Sequence, residues 1–182
     1  MPKLIENIRA QLLAEAQRQV AERGYAKTTI RSVAEACGIA VGTVYNYFPS
    51  KEMLVATILA EAWEKCLSRI EAQDLTGPKC RLRGIYDGLR GFLECHGAIF
   101  ADEEAEKTFA SVFPARHQML REQLAALAAP ACSDAPGTEA GFAAHFAAEA
   151  LLTWAVEGVP FEQLWPYLSA AVSEPSREGS AS

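Results

Sequence analysis

The chain has 182 residues, half of them hydrophobic, which is typical of a globular protein with one sizeable core or a small head on a larger body. No apolar run reaches the roughly eighteen residues of a membrane span, and the charged, amphipathic start has no cleavable signal pattern, so a cytoplasmic location is expected. The net charge of −6 argues against a uniformly basic protein, but the charge is unevenly divided. Residues 1–50 hold six basic and four acidic side chains, whereas residues 51–182 hold eleven basic and nineteen acidic side chains. This division predicts a mildly basic head on an acidic body, an arrangement that can orient a protein on DNA.

Apolar residues at three- and four-residue spacing predict an amphipathic first helix from Lys3 to about Arg23, which Gly24 ends. A hydroxyl of Thr28 or Thr29 can cap the second helix, because it accepts from the free N–H groups of the first turn. Ser32 lies too close to Thr29 to complete a capping box with a carboxylate, so no such box is expected.

The stretch from Thr28 to Lys51 reads TTIRSVAEACGIAVGTVYNYFPSK and predicts two short helices joined by a tight turn. With Ile30 counted as one, the small Ala34 falls at five, Gly38 at nine and the aliphatic Val44 at fifteen. The small side chain lets the helices cross closely, the glycine takes a left-handed turn, and the aliphatic residue packs the second helix against the first. This spacing is typical of a helix-turn-helix, whose second helix enters the major groove of DNA.

The same stretch resembles the TetR (tetracycline-repressor-type) family of transcriptional regulators. Beyond the packing positions, Gly42-Thr43, Tyr45-x-Tyr47-Phe48 and Pro49-Ser50-Lys51 fall in the family's order without a gap, over roughly a third of the chain. The resemblance implies an all-α fold of about nine helices, with a three-helix DNA-binding head and a helical ligand-binding and dimerisation body. The expected domains are the head at 1–50, a connecting helix at 51–76, the body at 77–173 and a disordered tail at 174–182.

The second helix of the motif, about Val41 to Phe48, is expected to read DNA. Tyr45 and Asn46 lie where base edges can be reached, and an asparagine side chain suits bidentate pairing with adenine. Hydroxyl groups on another face can donate to phosphate, and Lys51 stands at the positive N-terminus of the connecting helix. The alternative for the tyrosines is packing, with their hydroxyls in water. The predicted DNA-binding residues are Thr29, Arg31, Val41, Gly42, Thr43, Tyr45, Asn46, Tyr47 and Lys51.

The start of this reading helix departs from the family pattern. Ala40 stands where a capping serine or threonine is common, and Val41 stands where a polar or basic residue is common. A lost cap typically costs about 0.5–2 kcal/mol and here also removes a possible phosphate contact. Either the affinity for DNA is modest, or Val41 makes an apolar contact with a thymine methyl group.

Helical periodicity continues through the rest of the chain. A helix is predicted from Pro78 to about His96, a break or short helix over Gly97–Asp102, and an exposed loop over Pro130–Thr138. The last two helices, about 139–157 and 161–172, are apolar on more than one face. They either close the core of the monomer or form a four-helix interface with a second copy. The resemblance favours the homodimer, which would require a roughly palindromic operator.

The resemblance implies a small-molecule effector, expected to bind among the fourth to eighth helices, and a switch in which it tilts the connecting helix and so changes the spacing of two reading heads. An apolar or aromatic effector fits best, because the predicted body is acidic and has few inward basic residues. Aromatic residues at helical spacing are also the ordinary content of a core. The predicted lining residues are Trp63, Tyr86, Phe92, His96, Phe100, Phe109, Phe113 and Trp154. The charge run from Asp102 to Glu106 is interpreted as a solvated face or a helix start.

Motifs of enzymes are missing from the sequence: it has no G-x-G-x-x-G, phosphate loop, H-E-x-x-H or G-x-S-x-G, and its three histidines fall in different predicted helices. We therefore expect no enzyme activity and no cofactor. The five cysteines form no C-x-x-C pair and no zinc spacing, so free thiols and no metal site are expected.

The leading hypothesis is a sequence-specific regulator, a repressor that a small ligand releases from a palindromic operator. One alternative keeps DNA binding but uses Cys66, Cys80 or Cys95 as a redox sensor. Another is a helical interaction protein that no longer reads DNA, which Ala40 and Val41 suggest.

Overall fold

The structure is a computed structural model that describes residues 2–109, 113–134, 136 and 138–172, with side chains at 8–109, 118–134, 136, 138–170 and 172. Within these residues the fold contains nine α-helices and no strand apart from an isolated bridge between Cys132 and Val172. The helices are α1 Pro2–Arg23, α2 Ile30–Ala36, α3 Val41–Tyr47, α4 Lys51–Glu71, α5 Pro78–Phe100, α6 Glu103–Phe109, α7 Phe113–Ala128, α8 Phe142–Glu157 and α9 Phe161–Leu168. The predicted all-α fold is confirmed. None of the described helices is both long and apolar enough to cross a membrane.

Two compact units divide the chain. The head unit comprises Met1–Cys66 and Glu94–Pro114, and the body unit comprises Leu67–Leu93 and Ala115–Ser182. Helices α4 and α5 each contribute residues to both units. The units follow from packing alone, so the functional division into head, connecting helix and body stays a prediction.

The core of the head unit joins the first four helices. Buried side chains from each helix meet in one cluster, namely Leu12, Leu13, Ala16, Ile30, Val33, Ala34, Val44, Phe48, Leu54 and Ile58. Ala34 and Val44 are fully buried, as the predicted close crossing of the two motif helices requires. The predicted apolar face of α1 is confirmed by Leu12, Ala16 and Val20, each nearly or fully buried.

The turn between α2 and α3 depends on Gly38, which has a φ of +68°. Its N–H donates to the carbonyl of Glu35 at 3.1 Å, and the next N–H, of Ile39, donates to the carbonyl of Ala34 at 3.0 Å. This pair of bonds is a Schellman C-cap. No atom lies within 4 Å of the place that a Cβ on Gly38 would take, so the turn requires glycine for its backbone conformation and not for space.

Thr29 caps α2, which settles the choice between Thr28 and Thr29. Its hydroxyl accepts from the N–H of Ser32 at 3.0 Å, and the Ser32 hydroxyl accepts from the N–H of Thr29 at 3.1 Å. A capping box forms here without a carboxylate, because the serine hydroxyl takes the part that a carboxylate usually plays. The fully buried Thr28 instead donates its hydroxyl to the carbonyl of Gly24 at 2.9 Å.

In the body unit, α5 binds the end of α8 through polar contacts. The Tyr86 hydroxyl donates to the carbonyl of Val159, and the Arg90 guanidinium donates to the carbonyl of Ala155 at 2.8 Å. Gly158, with a φ of +73°, ends α8 as predicted. The Arg90 bond satisfies a carbonyl group in the last turn of α8, and the Tyr86 bond satisfies one just beyond the end of that helix.

Several predicted boundaries differ from the observed ones. Helix α5 continues to Phe100, so the break expected at Gly97 is wrong. Helix α8 begins at Phe142 and not near residue 139, and α9 ends at Leu168 before a 3-10 turn over Ser169–Ala171. The predicted disordered tail at 174–182 lies outside the described residues.

Candidate nucleic-acid interface

Helix α3 has one face fixed in the head core and one face exposed. Val44 is fully buried and Phe48, which follows the helix, is only 3% exposed. Tyr45 is 50% exposed, and Asn46 is also exposed. Consecutive residues on a helix point about 100° apart, so burial of Val44 turns Tyr45 and Asn46 toward solvent. The structure therefore exposes the two side chains that the sequence predicts to read base edges.

Three other predicted contact residues on α3 are half-buried: Val41, Thr43 and Tyr47. Val41 and Tyr47 pack against the head core. The unusual valine therefore has a packing function in the protein itself, whether or not it also meets a thymine methyl group.

Ala40 is the N-cap residue of α3, and no side chain caps the helix there. Its backbone is extended, with φ −67° and ψ 140°, and its carbonyl accepts from the N–H of Thr43 at 2.9 Å. The backbone geometry of a cap is present without a capping hydroxyl. The departure noted in the sequence is thus a real structural feature.

Of the remaining predicted residues near α2 and α3, Arg31 and Gly42 are exposed. Thr29 is exposed as well, but its hydroxyl already serves as the cap of α2. Arg9, in α1, forms an ion pair with Glu61 at 2.7 Å. Its guanidinium also lies 5.8 Å from the centre of the Phe48 ring.

Lys51, at the start of α4, makes three contacts inside the head unit. Its ammonium lies 2.8 Å from a carboxylate oxygen of Glu104, donates to the carbonyl of Tyr25 at 3.3 Å, and lies 3.9 Å from the centre of the Tyr25 ring. The side chain is 16% exposed. The sequence missed Glu104, because the two residues are 53 positions apart and no local pattern pairs them.

Helix α4 begins as predicted. The Ser50 hydroxyl accepts from the N–H of Met53 at 3.3 Å, and it also helps to lower the pKa of Glu52 in the first turn. Lys51 is the first residue of this helix, where free N–H groups favour an anion. The predicted phosphate position therefore exists, but its lysine is paired with Glu104 in the free protein.

The predicted effector-lining residues fall in both units. Trp63, His96 and Phe109 are buried and Phe100 is exposed in the head unit. In the body unit Tyr86 is buried, Phe92 is half-buried and Trp154 is 43% exposed. The side chain of Phe113 lies outside the described residues. Their function in ligand binding stays a prediction.

One small cavity in the head unit includes a predicted lining residue. Its volume is about 20 Å³, and it is lined by Gln17, Val20, Ala21, Ile58, Cys95, His96, Ala98 and Ile99. Burial lowers the pKa of His96, which favours the neutral imidazole. The cavity has room for about one water molecule, far below the volume of a drug-sized ligand site.

The five cysteines are all free thiols. Cys66 is buried, whereas Cys80 and Cys95 are exposed. Burial raises the pKa of Cys37 and of Cys132, which makes these two thiols less nucleophilic. Among the described residues no group of three or more histidine, cysteine or acidic side chains could hold a metal ion.

Comparison with known proteins places the motif in a family. Residues 12–58 match the family model described as bacterial regulatory proteins, tetR family. The HTH-type transcriptional repressor KstR2 of Mycobacterium tuberculosis is 32% identical over 104 residues, covering 54% of this chain and 52% of that protein. Residues 12–58 of this chain are thus similar to the TetR family. A second member, the repressor KstR of Rhodococcus jostii, is 48% identical over 46 residues, 25% of this chain and 22% of that protein.

TetR-family structures extend the likeness beyond the motif. A TetR-family regulator from Pectobacterium atrosepticum has a TM-score of 0.64 and 18% identity, covering 96% of this chain and 99% of that one. The ketosteroid transcriptional regulator KstR2 of Mycobacterium tuberculosis has a TM-score of 0.53 and 22% identity, covering 91% and 95%. These structures share the fold. The chain spans about half the length of the KstR2 sequence that it matches.

Proposed function

We propose that this protein is a sequence-specific DNA-binding transcriptional repressor. The observation that carries the proposal is the exposed pair Tyr45 and Asn46 on a helix whose opposite face is buried through Val44 and Phe48. A helix that enters a major groove needs such a rigid support and a free polar face. The naming of matched relatives as transcriptional repressors supports the same function.

We further propose that the protein acts as a homodimer. Four large apolar side chains of α8 are each more than 40% exposed: Phe142, Phe146, Trp154 and Val156. Large apolar side chains exposed on one helix favour association, and a two-fold dimer would present two copies of α3 to a palindromic operator. Light scattering at micromolar protein should give a mass near twice 19.7 kDa. A monomer under those conditions would remove this part of the proposal.

The operator is found by selection of genomic fragments with purified protein, followed by sequencing. The expected result is a shared palindrome, and Asn46→Ala should weaken binding to it by about 1–3 kcal/mol and relax the base preference at one position of each half-site. Arg31→Gln should weaken binding more than Arg69→Gln, which removes the same charge from an exposed position in the body unit. Absence of any enriched fragment at low salt would instead favour a helical interaction protein.

The complex of the protein with its selected DNA fragment can then be used to test which class of effector releases the DNA. A small apolar or aromatic compound is proposed to release the DNA, since the aromatic residues predicted to line the site outnumber its polar groups. Binding to the selected fragment is measured against a panel of aromatic, steroid-like, acyl and sugar-phosphate compounds. Release by sugar phosphates alone would overturn the apolar class. Release by peroxide, prevented by Cys80→Ser or Cys95→Ser, would show the thiol switch instead.

A further inference from the structure

Helix α6 is joined to the head through its first residues. The Asp102 carboxylate accepts from the N–H groups of Glu104 at 3.0 Å and Ala105 at 3.2 Å, which caps α6. The same carboxylate accepts from the N–H of Ala26, in the turn between α1 and α2, at 3.2 Å. Although desolvation opposes it, this set of backbone donors holds the pKa of Asp102 below its usual value. One carboxylate thus links the start of α6 to the DNA-binding head.

The far end of α6 is also fixed to the same turn. The ring of Phe109 lies 5.8 Å from the ring of Tyr25, and both side chains are buried. Glu104 lies between these two contacts along the helix, so the fixed backbone of α6 keeps its carboxylate within reach of Lys51. The ion pair of 2.8 Å therefore depends on where the packing places α6.

We infer that Glu104 is an intramolecular competitor of DNA phosphate for Lys51. In the free protein the carboxylate neutralises the ammonium at the N-terminus of α4. A phosphate can take the full interaction with Lys51 only when that pair is broken, and Glu104 also repels the phosphate. The inference rests on the proposed DNA-binding function and adds that α6 sets the affinity of the head.

The exposure of Glu104 makes this exchange feasible. The side chain of Lys51 is 16% exposed, but that of Glu104 is 53% exposed, so the carboxylate can return to water at small cost. Pairs with an exposed partner contribute little to stability, and charge-assisted contacts to phosphate are among the stronger hydrogen bonds. Movement of α6 by even a few ångströms would change how strongly Glu104 competes.

Four variants test the inference: Glu104→Gln, Lys51→Gln, their combination, and Glu103→Gln as the matched control. Glu103 is the neighbouring residue, its side chain is 89% exposed, and its substitution makes the same change in net charge. Affinity is measured by fluorescence anisotropy at several salt concentrations. The probes are the fragment recovered most often in the genomic selection and a mixed-sequence duplex of equal length. Thermal melting checks that each variant folds.

Glu104→Gln should bind the selected fragment about three- to tenfold more tightly. The slope of the logarithm of the affinity against the logarithm of the salt concentration should become steeper by up to about one. Glu103→Gln should change affinity by much less. In the Lys51→Gln background the gain from Glu104→Gln should disappear, because the competition requires the lysine. Equal effects of the two glutamate variants, or a gain that persists without Lys51, would overturn the inference while the DNA-binding function stands. No binding of either probe by any variant at low salt would overturn both.

Discussion

Gln19 and Ser32 bind each other twice in the head unit. The Ser32 hydroxyl donates to the side-chain oxygen of Gln19 at 2.6 Å, and the Gln19 amide donates to the backbone carbonyl of Ser32 at 3.1 Å. Gln19 is fully buried, so these bonds satisfy polar atoms that water does not reach. Through them α1 is joined to the first turn of α2, which packs against α3 in the head core.

Ser32→Ala should therefore destabilise the protein by about 1–3 kcal/mol, because it leaves Gln19 and the N–H of Thr29 without their hydroxyl partner. The measurement is urea unfolding followed by circular dichroism. Ser68→Ala, at an exposed position in α4, is the matched control and should leave the free energy of unfolding nearly unchanged. Equal losses in the free energy of unfolding for the two variants would show that the contact between Gln19 and Ser32 contributes nothing to stability.

Gly38→Ala should lower the free energy of unfolding by about 1–2 kcal/mol, because an alanine at a φ of +68° is strained. Gly42→Ala is the control, since Gly42 lies inside α3 and an added Cβ there would meet no other atom within 4 Å. There alanine should raise helix stability by up to about 1 kcal/mol. Thermal melting of both variants gives the comparison, and a stabilising Gly38→Ala would contradict the assigned turn.

Ala40→Ser should add the missing cap of α3. The serine hydroxyl can accept from a free N–H of the first turn, so the free energy of unfolding should rise by about 0.5–2 kcal/mol. The electrophoretic mobility shift of the selected DNA fragment, measured at several salt concentrations, gives the affinity for DNA separately from the stability of the protein. Unchanged binding would mean that the missing cap does not limit the affinity for DNA.

His145 and His96 should titrate on opposite sides of the ordinary histidine pKa of 6.5. The carbonyl of Gly141, 2.9 Å from one ring nitrogen, and Glu122, 3.1 Å from the other, raise the pKa of His145. Burial lowers the pKa of His96. Nuclear magnetic resonance titration of the ring protons measures both, and a shared midpoint would contradict the assignment.

The two histidines consequently give stability opposite dependences on pH. The contribution of His145 is fully present below 6.5 and is lost as the pH rises through its raised pKa. The contribution of His96 is fully present above 6.5 and is lost as the pH falls through its lowered pKa. His145→Gln should therefore cost more stability in mildly acidic than in mildly alkaline urea titrations. A cost that does not vary with pH would contradict the ion pair with Glu122.

The sequence by itself determined the motif, because its signals are local. The spacing of Ala34, Gly38 and Val44 follows from helix geometry and from the one residue type that takes a left-handed turn freely, and all three positions are as predicted. Helix ends were less certain. Helix α5 runs through Gly97 because a single glycine costs only about 1 kcal/mol inside a long, well-packed helix.

Only the tertiary structure decided how polar groups are partnered. Gln19 reaches Ser32 across thirteen positions, and Lys51 reaches Glu104 across fifty-three, distances at which no periodic pattern carries information. The sequence predicts Lys51 as a phosphate contact from its place at a helix N-terminus. The packing of α6 placed a carboxylate beside it, since the position of one helix against another depends on the whole core.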